Sequence, residues 1–155
     1  MTTDELLGLV RDIVDDAFRL SVKRTSEHVA PVNYACVFTQ SADAYEETFA
    51  AAKLLGRVVT ETTTGPVFLI RPIPTDAGDL RILKIRKPDP KRRERGDADF
   101  TVPDYESFKG KHVGTPGFSV IVRPEMEMVE LLDPSSDVLV YYSHPTLGEV
   151  LGLAM

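Results

Sequence analysis

The chain has no tryptophan, one cysteine and only three histidines, and each scarcity excludes something. Cys36 alone cannot form an internal disulfide, and it sits in the strand-like run "VNYACVFTQ". The fold must therefore rest on an apolar core, and cytoplasmic residence is the plain expectation. His28, His112 and His144 never fall into an H-x-H or H-x-x-x-H pair, which removes the strongest zinc signals. No G-x-S-x-G, no phosphate-binding glycine loop and no dinucleotide fingerprint is present. Apolar runs fall far short of the ~20 residues that cross a membrane. The opening "MTTDELLGLVRDIVDD" turns acidic early instead of running basic then apolar, which speaks against a secretory leader. A formal net charge of −6 gives no global reason to expect nucleic acid or an anionic membrane as partner.

What is present reads as an ordinary globular chain. The 155 residues, 43% hydrophobic and 27% charged, suit one domain spanning 1–155. Thr3 to Leu20 carries Leu6, Leu9, Val10, Ile13, Ala17 and Leu20 at helical spacing, with Thr2 or Thr3 as N-cap and Asp4 and Glu5 in the first turn. Residues 1–30 thus form an N-terminal helical segment. A first unit, 31–90, runs strand, helix, three strands. "VNYACVFTQ" is followed by a helix with Tyr45, Phe49, Ala52 and Leu55 inward and Gly56 as its stop. "RVVTETTTGPVFLIRPIP" and "LRILKIRKP" supply the remaining strands. A second, β-rich unit, 95–143, begins at "GDADFTV" and ends at "DVLVYYS"; "PDYESFKGKHVGTPG" reads as a short irregular connection in place of a helix. Residues 144–155 form a C-terminal tail with a short final helix.

The element order repeats where the residues do not, giving an α+β fold of two paired β-α-β-β-β-type units with an added N-terminal helix. This order resembles the vicinal oxygen chelate superfamily of glyoxalase I, extradiol dioxygenases and bleomycin-resistance proteins. The leading helix, "NYACVF" and "GDADFTVPD" make the YecM-like branch the nearer likeness. The resemblance implies that each unit builds a curved half-barrel and that the pair encloses a cup. It also implies metal ligands on the first and last strands of each unit. Carried over by position, that places Asn33 or Tyr34 on the first strand, Lys84 on the fourth, Asp97 on the fifth and Glu130 near the end. Lys84 departs from the pattern, because a protonated ammonium cannot ligate a metal.

The residues add their own argument. In "GDADFTV", Asp97, Asp99 and Thr101 alternate with Ala98, Phe100 and Val102. The two carboxylates share a face about 6–7 Å apart, as hard ligands for a divalent metal or a polar substrate, or as a solvated edge. In "EMEMVELL", Glu130 shares a face with Met126 and Met128. A carboxylate among apolar neighbours needs a partner, so it is read as metal ligand or general base, unless a bulge at Pro124–Glu125 shifts the register and returns it to the surface. Lys84 and Arg86 share a face: turned into the cup they would hold an anionic ligand, turned outward, the more ordinary arrangement, they would guard an edge. "KIRKPDPKRRERGD" packs seven basic and three acidic residues into fourteen, but lacks the aromatics that stack on bases, and reads as a solvated loop. His112 reads as an exposed loop histidine and Cys36 as an inert thiol. The resulting expectation is a cup that binds a small polar or anionic ligand, with Asp97 and Glu130 for a divalent metal, Glu130 for proton transfer, and Lys84, Arg86, Asp99 and Asn33 for the substrate. Isomerase or lyase chemistry is what the resemblance implies. The alternative is a degenerate, non-catalytic binding or assembly module, a homodimer joined through "TLGEVLGLAM".

Overall fold

The computed structural model describes residues 1–153. α1 (Thr3–Thr25) opens with a capping box: Glu5 N–H donates to Thr2 Oγ1 while Thr2 N–H donates to the Glu5 carboxylate. It buries Leu6, Val10, Ile13, Val14 and Ala17; Leu9 and Leu20 of the expected stripe are half-buried at its margins. β1 (Val32–Phe38) leads into α2 (Ala42–Leu55), capped by Ser41. Then come β2 (Gly56–Thr62), β3 (Gly65–Thr75) and β4 (Gly78–Arg86). The second unit follows as β5 (Gly96–Phe100), α3 (Tyr105–His112), β6 (Phe118–Val122), β7 (Glu127–Leu131) and β8 (Val138–His144). α4 (Leu147–Val150) closes the described chain.

The eight strands form one sheet in the order β2-β3-β4-β1-β5-β8-β7-β6. Each unit has the same internal order. β1 lies parallel to β4, β5 lies parallel to β8, and the units meet where β1 runs antiparallel to β5. Gly96 permits that junction: a Cβ there would stand 2.0 Å from the Cys36 carbonyl oxygen. The sheet stays open, with β2 and β6 as its edges. α1, α2 and α3 cover one face through the main core, which includes Phe68, Leu83, Phe100, Val140 and Tyr142. The Tyr142 hydroxyl meets Ser21 Oγ of α1 at 2.6 Å inside this layer.

Two expectations are corrected. The irregular connection at 103–117 contains a helix of eight residues, so the second unit is a full β-α-β-β-β unit. Its signal was faint, yet Asp104 caps it by accepting from Ser107 N–H, and Tyr105, Phe108 and His112 fall on one buried face. His112 is accordingly buried, against Phe108 at 4.6 Å and Phe118 at 5.4 Å, on the helix side of the sheet. No helix among the described residues is long and apolar enough to cross a membrane.

Candidate functional site

The face opposite the helices carries the chemistry. Laterally paired residues in a sheet share a face, and register puts two rows there. One runs Val67, Lys84, Cys36, Asp97, Leu139 across β3, β4, β1, β5 and β8. The next runs Tyr34, Asp99, Tyr141, Glu130, Ser119 across β1, β5, β8, β7 and β6. The face is concave: a cavity of about 390 Å³ is lined both by the β2–β3 turn (Thr62 to Thr64) and by the β6–β7 turn (Arg123, Glu125, Met126). In a flat eight-stranded sheet those turns would lie roughly 30 Å apart. Tyr34, Val67, Lys84, Met128 and Leu147 complete the lining.

Five of the six expected site residues therefore share this face: Lys84, Arg86, Asp97, Asp99 and Glu130. Lys84 and Arg86 turn inward, which corrects the outward arrangement. A strand with cations at alternate positions reads as a solvated edge, but β4 sits inside the sheet and the trough leaves room for long side chains. Lys84 is half-buried in the cavity wall and has no ion-pair partner among the described residues. Arg86 is already engaged, 3.0 Å from Asp89 and 5.1 Å over the Phe38 ring. Asn33 sits apart, at a bulge in β1, where its Oδ1 accepts from Gly148 N–H at 3.3 Å.

The acidic face of "GDADFTV" is not solvated. Asp99 is 0% exposed and Asp97 is 7% exposed. Ser143 Oγ donates to Asp99 Oδ1 at 2.8 Å, but Asp99 Oδ2 and Asp97 Oδ1 are buried without a hydrogen-bond partner. Burial pushes Asp97 up to about 7, against the opposing pull of the Lys84, Arg86 and Arg92 charges. It pushes Asp99 up to about 8, opposed by the Ser143 hydrogen bond and reinforced by Asp97. Glu130 is buried too, and the Tyr141 hydroxyl donates to its Oε2 at 2.8 Å. Burial and then the neighbouring carboxylates hold the Tyr34 and Tyr141 hydroxyls well above the usual phenol range. Burial and then Asp97 likewise raise the Cys36 thiol, keeping it un-ionised.

This donor set does not fit a metal centre. Asp97 and Glu130 stand on β5 and β7 with β8 between them. Among the described residues no three His, Cys, Asp or Glu side chains converge to hold an ion. The nearby cations belong to Lys84, Arg86 and Arg92, and the unpartnered oxygens lie on two carboxyls that burial raises toward the protonated form.

Sequence reasoning missed Ser143 and Leu147 as parts of the site, and offered Tyr34 only as the alternative to Asn33. Alternation alone puts Tyr34 with Cys36 and Tyr141 with Ser143, so the pattern was there; what was lacking was which face closes over. The apolar C-terminal segment assigned to a second subunit packs at home. Leu147, Leu151 and Leu153 lie on the concave face, against Tyr34, Val67 and Ile82. Ala154 and Met155 of that segment lie outside the described residues.

No family model matches the chain, and no curated protein does. Among solved structures, the chain is similar to one described as "Structural Genomics, Protein EC4020", with a TM-score of 0.69 at 14% identity over 93% of this chain and 92% of that one. The fold is therefore shared with another protein of nearly the same extent. A looser likeness, TM-score 0.44 at 11% identity over 74% of this chain and 97% of the other, is to a glyoxalase/bleomycin resistance protein/dioxygenase superfamily member from Vibrio splendidus 12B01.

Proposed function

We propose that the chain is a vicinal oxygen chelate-type protein, nearest the YecM-like branch, whose concave face binds a small anionic ligand with an apolar body. The tandem β-α-β-β-β topology and the leading helix support the family reading. One observation carries the binding reading: the ammonium of Lys84, unpaired among the described residues, stands in the wall of the concave cavity, with only β1 between its strand and that of a buried carboxyl with an unpartnered oxygen. An ammonium so placed suits a carboxylate or phosphate group. Met126, Met128 and Val67 offer an adaptable apolar wall beside it. Asp97, pushed up to about 7, is the group suited to give or take a proton near neutrality, which makes isomerase- or lyase-type proton transfer the reaction class that fits. Glu130, committed to Tyr141, positions that neighbour. The lone buried Cys36 suits a reducing compartment, so we place the activity in the cytoplasm.

The test is thermal unfolding and titration calorimetry against small carboxylates (2-oxo, 2-hydroxy and short acyl acids) and inorganic phosphate near pH 7. At a hundredfold excess over Kd, a specific ligand adds about 2.7 kcal/mol. Lys84→Met should abolish that gain while leaving the unliganded protein folded. If no anion stabilises the parent, or if Lys84→Met binds equally well, the reading is wrong. One observation favours the second reading, a non-catalytic module: Met126, Met128, Tyr141 and Leu147 fill much of the concave face with apolar packing. Absence of binding across the whole panel would select it.

A further inference from the structure

The segment after β8 folds back across the concave face but is knit mainly to itself. Glu149 N–H donates to Thr146 Oγ1, and Thr146 N–H donates to the Glu149 carboxylate. Val150 N–H bonds to Thr146 O, Leu151 to Leu147, Gly152 to Glu149 and Leu153 to Gly148. Among the described residues, its one hydrogen bond to the rest of the protein runs from Gly148 N–H to Asn33 Oδ1, at 3.3 Å. Its grip is otherwise apolar. Leu147 packs on the cluster of Cys36, Met126, Met128 and Tyr141 and also on that of Tyr34, Val67 and Ile82; Leu151 and Leu153 pack on the latter. All three leucines are only half-buried.

α4 is also a wall of two cavities. Leu147 lines the one of about 390 Å³ that holds Lys84. Thr146, Glu149 and Leu153 line another of about 420 Å³, with Asn33 and Arg81. A segment that satisfies its own backbone groups can leave as a unit without stranding polar atoms. Its departure would cost one hydrogen bond and part of three leucines' burial, would join the two cavities, and would uncover the rows that hold Asp97 and Asp99. Local openings of this kind occur far below the free energy of global unfolding.

We infer that α4 and its following turn form a displaceable plug of the concave site, latched by Asn33, whose Leu147 side chain stands where the apolar body of a ligand would lie. The identity of that occupant rests on the binding reading above; the opening of the plug does not.

Cys36, the single cysteine, lies on the concave face within the cluster that Leu147 contacts, and so serves as reporter. Modification of Cys36 by a small thiol reagent is followed in the intact protein, without ligand, across urea concentrations below the unfolding transition. If the plug opens locally, the rate is nearly independent of urea; if the thiol is reached only by global unfolding, the rate climbs with the full denaturant slope. Leu147→Ala and Asn33→Ala should each accelerate the urea-independent rate, the former by about tenfold or more given the packing it removes. Val10→Ala, in α1 on the other side of the sheet, lowers global stability and should leave that rate unchanged. A full urea slope in the parent overturns the proposal. So does a flat slope that neither Leu147→Ala nor Asn33→Ala alters, because the opening then belongs to another element. The labelling needs no ligand, so failure of the anion titrations leaves its result standing, and the converse also holds.

Discussion

Raising the pH from about 6.5 to about 8 should weaken this fold, and the buried acids on β5 set the size of the effect. An unfolded aspartate ionises near 3.9, whereas Asp97 and Asp99 are held up to about 7 and about 8 by burial. Between those limits the folded state binds more protons than the unfolded chain. Stability is then greatest at the low end and falls as pH rises, by about 1.4 kcal/mol per pH unit for each group still protonated. Across the stated window Asp99 accounts for most of the loss and Asp97 for a smaller share, roughly 2 kcal/mol together. For a chain of this length that is a melting shift on the order of 4–8 °C. Opposing contributions are confined to the low end of the window. Burial lowers His112, so the stability it adds as pH rises is complete just above the usual histidine range. Glu127, Asp133 and Asp137 are lowered by their hydrogen-bonded partners, and their share is lost only in acid. Urea unfolding at several pH values, repeated on Asp99→Asn, is the assay. The asparagine keeps an acceptor for Ser143 and never ionises, so the variant should lose most of the slope and match or exceed the parent at about pH 8. A parent that is flat or gains stability over this window, with Asp99→Asn weakened at its upper end, would show the carboxylate ionised and partnered in the native protein, and the reasoning would fail.

Three further outcomes follow from the same geometry. Titration with Mg²⁺, Mn²⁺, Zn²⁺ or Ni²⁺ should give no saturable stabilisation that Asp97→Asn and Glu130→Gln remove; a stoichiometric ion lost in both variants would restore a chelate site. Tyr142→Phe should cost about 1 kcal/mol in urea unfolding, because Ser21 loses a buried partner between α1 and β8; no change would mean the contact is dispensable. Gly96→Ala should destabilise by about 3 kcal/mol or more, since its methyl would meet the Cys36 carbonyl where the two units join; a neutral result would mean β1 and β5 can part without loss.

Most of the fold was legible because its elements obey local rules. The α1 stripe, the Gly56 stop and the alternation in "GDADFTV" each follow from spacing alone, and the repeated element order pointed to two equivalent units. α3 was missed because its sequence is mostly polar and contains Gly110; only the Asp104 cap and three aromatic or imidazole rings announce it. The site was harder for a different reason. Alternation separates Asp97 and Asp99 from Ala98 and Phe100, but it cannot say that both faces are covered. Cover on the concave side comes from Met126 and Met128, distant in the chain and brought over by the curvature of the sheet, and from Leu147, carried back by the segment after β8. The same ignorance turned Lys84 outward.

Once both faces are closed, the charges on the concave side become coupled, and that coupling makes a last testable claim. Lys84 is the strongest of the charges opposing the rise of Asp97, ahead of Arg86 and Arg92. An anion that docks on Lys84 cancels part of that opposing field, and Coulomb interactions in a buried site are weakly screened. Asp97 must then move further up from about 7, so binding near neutrality takes up a fraction of a proton from solution. By linkage, affinity for the anion should fall as pH rises past neutrality, and the fall should vanish in Asp97→Asn. Calorimetric titrations in two buffers of different ionisation enthalpy measure the uptake directly. Proton release, or an uptake that persists in Asp97→Asn, would mean that Lys84 and Asp97 do not share a field, and that the ammonium in the cavity wall answers to another group.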